Sequence, residues 1–511
     1  MSANRRDFIK FIVAGAVSAG CPVDSSLIPQ AGDNNPGNNT SIEGEDNRIC
    51  HQVRDGRVFS RPPASARHDI VIVGGGVSGL TAAYRLQHRD VLLLEKEPHW
   101  GGNAYAMEYN GSPYGTGSAF IWTNSEAFRF AKEIGLTPLP IDCPDGSIIN
   151  GEFVPDMWGS GLDNLPYPSI TRESFKKFKK EMMGIDLERR AAELYGVPFS
   201  TLLAPYSREI KQWWDAYGPS NWGATSDESV AALAIDEFQE MVGESRNDIR
   251  YTWRGGIGEI TRRLAEILEL KYGARMQLNA ITVAVVPVKS DVEVTYFFGG
   301  ELKTVSAKAV IMATPKFITR RIVEGIPAKQ SEAMRQIRYA PYCVVNLIFD
   351  KPVFNKGYDT WCPGNTFTDF IVADWVIRKN SGYMQKYNIL SCYTPMKEED
   401  RGYLLTEGGS RKIAGRVLQD FQKLMPSFNV DPIEVHMYRR GHPMYMSIPG
   451  LYTQVQPLVR QPMDRVFFAN TDSEGPESTT NEAIYAAQRA VHQVEAHLAG
   501  KPAGNETAAA G

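Results

Sequence analysis

Asp69–Val73 reads DIVIV and runs at once into Gly74-Gly75-Gly76-Val77-Ser78-Gly79 and then LTAAYRLQ. Few folds accept this succession. A short apolar run bounded by glycines reads as a buried parallel strand, and the following residues have helical spacing. Gly74 permits the tight turn, Gly76 lets backbone approach a pyrophosphate, and Gly79 lets the helix lie close on the strand. Val77 and Ser78 open that helix, whose free N–H groups and dipole favour an anion. A second apolar strand, Asp90–Leu94, ends in Glu95. Glu95 falls about 20 residues after the first glycine, where an acid takes ribose hydroxyls, and Lys96 follows it. A glycine turn alone is weak evidence. Strand, turn, helix, strand and acid in register define a Rossmann-like α/β nucleotide-binding fold.

The chain has 511 residues, too many for one ordinary core, so two intimately packed domains are expected. The net charge is -4 and no basic stripe stands out, which argues against nucleic acid as a partner. None of the 6 cysteines is spaced as CxxC, so no zinc or c-type haem site is expected, and no metal. Cys50 and His51 are adjacent and cannot easily ligate one ion from the same side, so a structural role is expected.

The N-terminus carries an address. Asn4–Lys10 reads NRRDFIK, and a short apolar run, Phe11–Gly20, succeeds it. Twin arginines before a modest apolar stretch are the pattern of a Tat export signal, and the run is too short for a permanent membrane helix. Tat moves folded proteins, which suits a chain that must enclose a cofactor before export. Two fates remain open for the signal. Ser18-Ala19-Gly20-Cys21 is similar to a lipoprotein box, with Ser18 where an aliphatic residue is usual; Cys21 would then carry a lipid anchor. Cleavage near Ala19 would instead release a soluble periplasmic enzyme.

After Glu95 comes the doublet Gly101-Gly102 and then Asn103. Here the chain resembles the FAD-containing amine oxidase superfamily, which includes monoamine and polyamine oxidases and, more distantly, phytoene desaturases and protoporphyrinogen oxidases. The resemblance implies FAD as the cofactor, with the doublet passing its ribityl and pyrophosphate. Tyr114–Phe120, with Gly117 and Ser118, resembles the family's second glycine turn near the flavin ring. Arg254–Gly258 opens ITRRLAEIL, where the family's chain returns from the substrate domain. Ala280–Val288 implies backbone near the adenine at Thr282 or Val283, and Lys308–Thr314 ends at Pro315 as the family's strand does. At the far end Val466–Asp472 is a strand ending in an acid, followed by the helix around Ala483. By resemblance this part closes over the pyrophosphate and flavin, with Asp472 contacting ribitol or phosphate. The likeness covers roughly residues 68 to 498.

Three departures bear on the substrate. Many relatives carry a lysine on the strand near Cys343–Phe349; here the sequence is CVVNLIF, with Asn346 as the nearest polar residue. The cysteine that holds flavin covalently in monoamine oxidases falls at His442, which implies noncovalent FAD. The two tyrosines that flank an amine fall at Pro443 and Thr479, with Tyr445 as a substitute wall. Asn346 and His442 are therefore the candidate catalytic residues. For His442, a near-neutral pKa would allow proton relay during hydride transfer; a hydrogen-bonded structural histidine is the other reading. For Asn346 the alternative is a satisfied interior amide.

The expected organisation is an export signal at 1–21, a flexible linker at 22–66 and a first FAD-binding part at 67–164. A helical substrate-domain insertion occupies 165–251, then FAD-binding residues 252–325, a second substrate part of mixed sheet at 326–445, a closing FAD-binding part at 446–498 and a tail at 499–511. The expected activity is oxidation of a small-molecule amine or polyamine by hydride transfer to FAD, in the periplasm or on the outer face of the cytoplasmic membrane. Electrons would leave to oxygen, a periplasmic cytochrome or a quinone. An isoprenoid or porphyrinogen desaturase and a non-catalytic flavin-binding partner are the alternatives.

Overall fold

The computed structural model describes residues 39–242, 249–381, 385–424 and 430–501. The twin-arginine segment and Cys21 lie outside the described residues, as do most of the expected tail and the linker up to residue 38.

Arg67–Val73 runs inside a seven-stranded sheet. It pairs in parallel with Val91–Leu94 on one side and with Glu301–Met312 on the other. Glu301–Met312 also takes Val466–Phe468 in parallel, so the C-terminal segment belongs to this sheet. Two antiparallel strands, Ile281–Val288 and Asp291–Phe298, extend it. A parallel sheet must be covered on both faces. Ile70, Ile72, Leu93 and Phe467 meet Leu80, Leu264 and Ile484, which come from the helices Val77–Arg85, Gly258–Tyr272 and Thr480–Leu498. The alternate residues Val71, Val73, Leu92 and Leu94 pack instead with Met334, Ile337 and Leu451.

A second sheet of eight strands forms the other body. Its strand Tyr339–Phe349 is buried at every position and lies between Glu434–Tyr445 and Asn388–Pro395. Two boundaries differ from expectation. Thr40–Gly44, expected to be linker, pairs in parallel with Val435–Arg439 at the sheet edge. That edge offers unpaired backbone groups, and five residues suffice to satisfy them, too few to show against a Pro-, Asn- and Gly-rich background. Gly146–Ile149 and Glu152–Pro155, expected in the nucleotide domain, also join this sheet, through the pairing of Gly146 and Ser147 with Thr360 and Trp361.

The insertion is helical, with its longest helices at Ser169–Met183, Arg208–Trp222 and Ala231–Val242. Its interior is aromatic: Trp158 meets Phe238 edge-on at 5.0 Å and Trp213 meets Trp214 at 5.1 Å. Such edge-to-face pairs add about 0.5–1.5 kcal/mol each beyond area burial. Among the described residues no helix is long and apolar enough to cross a membrane.

Candidate functional site

The two bodies enclose two adjoining cavities. The larger, about 590 Å³, runs along the ends of the nucleotide-domain strands, as crevices of open α/β sheets do. Its geometry begins with the glycines. Gly74 has φ +109, and a Cβ there would lie 2.5 Å from the carbonyl oxygen of Ala313. A Cβ on Gly79 would lie 1.8 Å from the carbonyl oxygen of Gly74, so only glycine lets the helix meet the turn. Gly76 differs: its Cβ would meet only Gly102 Cα, at 3.8 Å, and the residue lines the cavity. Gly76 caps the helix Val77–Arg85 in extended conformation and bridges Gly101. Val77, Ser78, Gly101 and Gly102 line the same cavity. Ser78 Oγ donates to the carbonyl of Ala483 at 2.9 Å, tying the helix after the glycine turn to Thr480–Leu498, and Ala483 also lines the cavity.

Glu95 closes the adjacent wall. Its carboxylate accepts the N–H of Gly75 at 2.6 Å and that of Glu97 at 2.8 Å. Burial pushes its pKa up against these bonds and the Lys96 charge. Lys96 pairs with Glu97 and lines the cavity; burial would lower its pKa, but Glu45, Glu97 and Glu95 together hold it above the ordinary lysine value. Thr282 and Thr314 line the cavity, while Val283 does not: it is buried at 6% exposure, where the strand's pairing register shifts between Thr282 and Ala284.

These residues fit a dinucleotide: a glycine cradle open only at Gly76, a helix N-terminus behind it, and a buried acid beyond. The residues expected nearer the ring divide between the cavities. Asn103 and Ser118 line both; Gly117 lines only the smaller. Asn103 Nδ2 donates to the carbonyl of Pro443 at 2.6 Å.

Two further expected site residues lie elsewhere. Asp472 is fully buried and lines neither cavity; its carboxylate pairs with Lys316 Nζ at 2.6 Å and accepts from Tyr339 Oη at 2.6 Å. It sits behind the wall because the loop after Val466–Phe468 turns its side chain inward to meet the lysine. Asn346 also lines neither cavity; Oδ1 accepts from Ser391 Oγ at 2.6 Å and Nδ2 donates to the carbonyl of His436 at 3.3 Å. It is a satisfied interior amide on a strand with no solvent-facing side.

His442 lines the larger cavity only, its ring centroid 4.4 Å from that of Phe317. Burial, helped by the Arg401 charge, drives its pKa down to about 4. The imidazole is therefore neutral across the physiological range, and the near-neutral pKa expected for proton relay does not hold. Tyr445 likewise faces the larger cavity, its hydroxyl donating to the carbonyl of Gly475 at 3.1 Å, so it forms no wall of the smaller one.

The smaller cavity, about 240 Å³, shares Asn103, Ser118, Pro443 and Thr479 with the larger. Its aromatic walls are Tyr393, Tyr342, Tyr217, Trp361, Phe120 and Trp122, none of them at the register positions expected for the tyrosines. Tyr393 is set by its hydroxyl, which donates to the carbonyl of Gly117 at 2.6 Å. The described lining carries six carboxylates, Asp145, Glu237, Glu240, Asp359, Asp369 and Glu477, against two guanidiniums, Arg250 and Arg440. Arg250 pairs with Asp145 at 2.5 Å and approaches Asp359 at 4.0 Å. Burial and the repulsion of Glu240 push Glu237 up to about 8. Burial pushes Asp369 up to about 7, although it accepts from Ser220 Oγ and Thr368 Oγ1, each at 2.7 Å. Glu477 is raised well above the usual range by burial and by Glu237. These carboxylates come from the helical insertion, the second sheet and the C-terminal loop. Only a fold that brings the three together could reveal the cluster.

Residues 77–494 match the family described as flavin containing amine oxidoreductase. The chain belongs to this family and is an FAD-dependent oxidoreductase. It is similar to "Oxidoreductase PigB" of Serratia sp., at 22% identity over 85% of this chain and 76% of that one. It is also similar to the horse flavin-containing amine oxidase A, at 24% identity over 83% of this chain and 84% of that one. Among solved structures, putrescine oxidase bound to putrescine shares the fold at a TM-score of 0.63 and 19% identity, covering 84% of this chain and 99% of that one. Cyclohexylamine oxidase from Brevibacterium oxydans IH-35A does so at a TM-score of 0.65 and 18% identity, with the same coverages.

Proposed function

We propose that this protein oxidises a small amine with more than one positive charge, a diamine or polyamine, in the acidic cavity beside the cofactor groove. The observation that carries this reading is the excess of carboxylates over guanidiniums in the smaller cavity. Buried carboxylates with raised pKa values lack a cation, and an alkylammonium supplies one. Tyr393 and Tyr342 line the same cavity, and aromatic rings attract such a charge. An apolar isoprenoid would leave the carboxylates unpaired, and a porphyrinogen's own carboxylates would be repelled, so the lining favours an amine over the desaturase reading.

FAD, held without a covalent bond, supplies hydride acceptance. The chain's own residues orient the substrate, pair its distal charge and keep bulk water out. We further propose that Arg5 and Arg6 direct export of the loaded protein to the periplasm. Anaerobic titration of the purified protein with putrescine and spermidine is the test. Bleaching of the flavin absorbance at micromolar to millimolar amine is expected. An unchanged spectrum with both, while dithionite still bleaches it, would overturn the reading. Acid precipitation should leave the flavin in the supernatant, and the mass of the mature N-terminus reports both export processing and any lipid on Cys21.

A further inference from the structure

The family match begins at residue 77. The strand Thr40–Gly44 and the helix Arg48–Arg54 lie before it, and residues of the helix and of the turn leading into it line the larger cavity. The segment is anchored at each end. Asn39 Nδ2 donates to the carbonyl of Ile433 at 3.0 Å, and the five strand residues pair in register with Val435–Arg439. At the other end Arg321 Nη1 donates to the carbonyl of Arg54 at 3.0 Å, and Val53 packs on the apolar cluster beneath the nucleotide sheet. Between these anchors Glu45, Asn47, His51 and Arg54 line the larger cavity together with the glycine cradle. Glu45 links the two bodies electrostatically: burial alone would raise its carboxyl, but the charges of Lys96 and Arg440 outweigh that and hold it low.

We propose that residues 39–54 form a clasp on the bound FAD, with Asn47, His51 and Arg54 contacting the dinucleotide and slowing its release. The segment has the right chemistry for a dinucleotide: an amide, an imidazole and a guanidinium carry hydrogen-bond donors suited to phosphate, ribose and base edges, and the partners Asn47 and Arg54 already have, Glu45 at 3.3 Å and Asp55 at 2.8 Å, leave further N–H groups on each. Its two anchors join it to both bodies, so the segment cannot move away from the cavity without breaking strand pairing or the Arg321 bond. The clasp requires FAD dependence but not any particular substrate, so a failed amine titration leaves it standing.

The test uses the holoenzyme and its N47A/H51A/R54A variant, which keeps both anchors. Flavin release is followed by the rise in free-flavin fluorescence after dilution, with circular dichroism as the check on folding. Release at least about tenfold faster is expected, equivalent to about 1.4 kcal/mol. Release within about twofold of the parent would overturn the clasp. Should the variant not fold, hydrogen exchange of residues 45–54 in the unaltered protein decides. Slower exchange in the FAD-loaded than in the FAD-stripped form supports it; equal exchange in both overturns it.

Discussion

The ammonium of Lys316 lies 2.6 Å from a carboxylate oxygen of Asp472, and neither side chain reaches solvent. Lys316 opens the helix Lys316–Ile322, whose first N–H also donates to Asp472 at 2.7 Å. The pair thus joins the end of Glu301–Met312 to the loop after Val466–Phe468, two neighbours in the nucleotide sheet. Removing one partner strands a buried charge, which costs about 3–5 kcal/mol. Lys316→Met should lower denaturant stability by that amount, and the K316M/D472L double variant should recover part of it. If D472N instead weakens flavin binding with no loss of stability, Asp472 touches the cofactor after all.

The two ends of the glycine turn should behave differently. Gly79→Ala places a Cβ 1.8 Å from the Gly74 carbonyl, so the helix cannot dock and soluble protein should be lost. Gly76→Ala meets only a Cα at 3.8 Å and has an ordinary φ of -78. It should fold with a near-parental melting temperature but bind FAD at least about tenfold more weakly, because the methyl enters the cradle. Flavin content after gel filtration, beside a thermal melt, separates the outcomes.

Amine binding should be pH-dependent through the acidic cavity. Glu237, near 8, and Asp369, near 7, carry protons at lower pH. A cation binds the ionised forms, so amine affinity should rise between pH 6 and 8, by up to about tenfold per unit for each group that titrates, with protons released on binding. In the unliganded protein the sign is opposite. Carboxyls whose folded pKa is raised lend stability that is complete below their unfolded pKa and lost as pH climbs through the folded value. Glu237→Gln should flatten the upper part of the affinity profile. Isothermal titration in two buffers of different ionisation enthalpy counts the protons.

His442 should leave no mark on the neutral pH profile. With a pKa near 4 it is uncharged from pH 6 to 9. His442→Gln should therefore leave the shape of the flavin-reduction profile unchanged over that range, whatever it does to the rate. An inflection near 6.5 that vanishes in the variant would mean the bound cofactor or substrate restores the histidine's ordinary pKa.

Asn346→Leu should cost stability and spare chemistry. The change leaves Ser391 Oγ and the His436 carbonyl without their partner in a fully buried strand, a penalty of about 1–3 kcal/mol. Denaturant unfolding reads the loss, and the rate of flavin reduction by substrate should be unchanged.

What the sequence determined by itself is local. Strand, glycine turn, helix and terminal acid are consecutive, and their meaning depends on backbone geometry within about thirty residues. That is why Gly74, Gly76, Gly79 and Glu95 could be read directly, and why the resemblance at the C-terminal strand pointed to the same sheet. What the tertiary structure decided is long-range. Whether Asp472 faces a cofactor or a lysine depends on Lys316, 156 residues away in the chain. The acidic cavity draws Glu237, Asp369 and Glu477 from three separate segments, and each alone reads as an ordinary surface or turn acid. Thr40–Gly44 becomes a strand only because Glu434–Tyr445 presents an open edge for it to pair with. Backbone propensity acts through neighbours in sequence. Charge pairing, burial and edge pairing act through neighbours in space, and those exist only once the chain has folded.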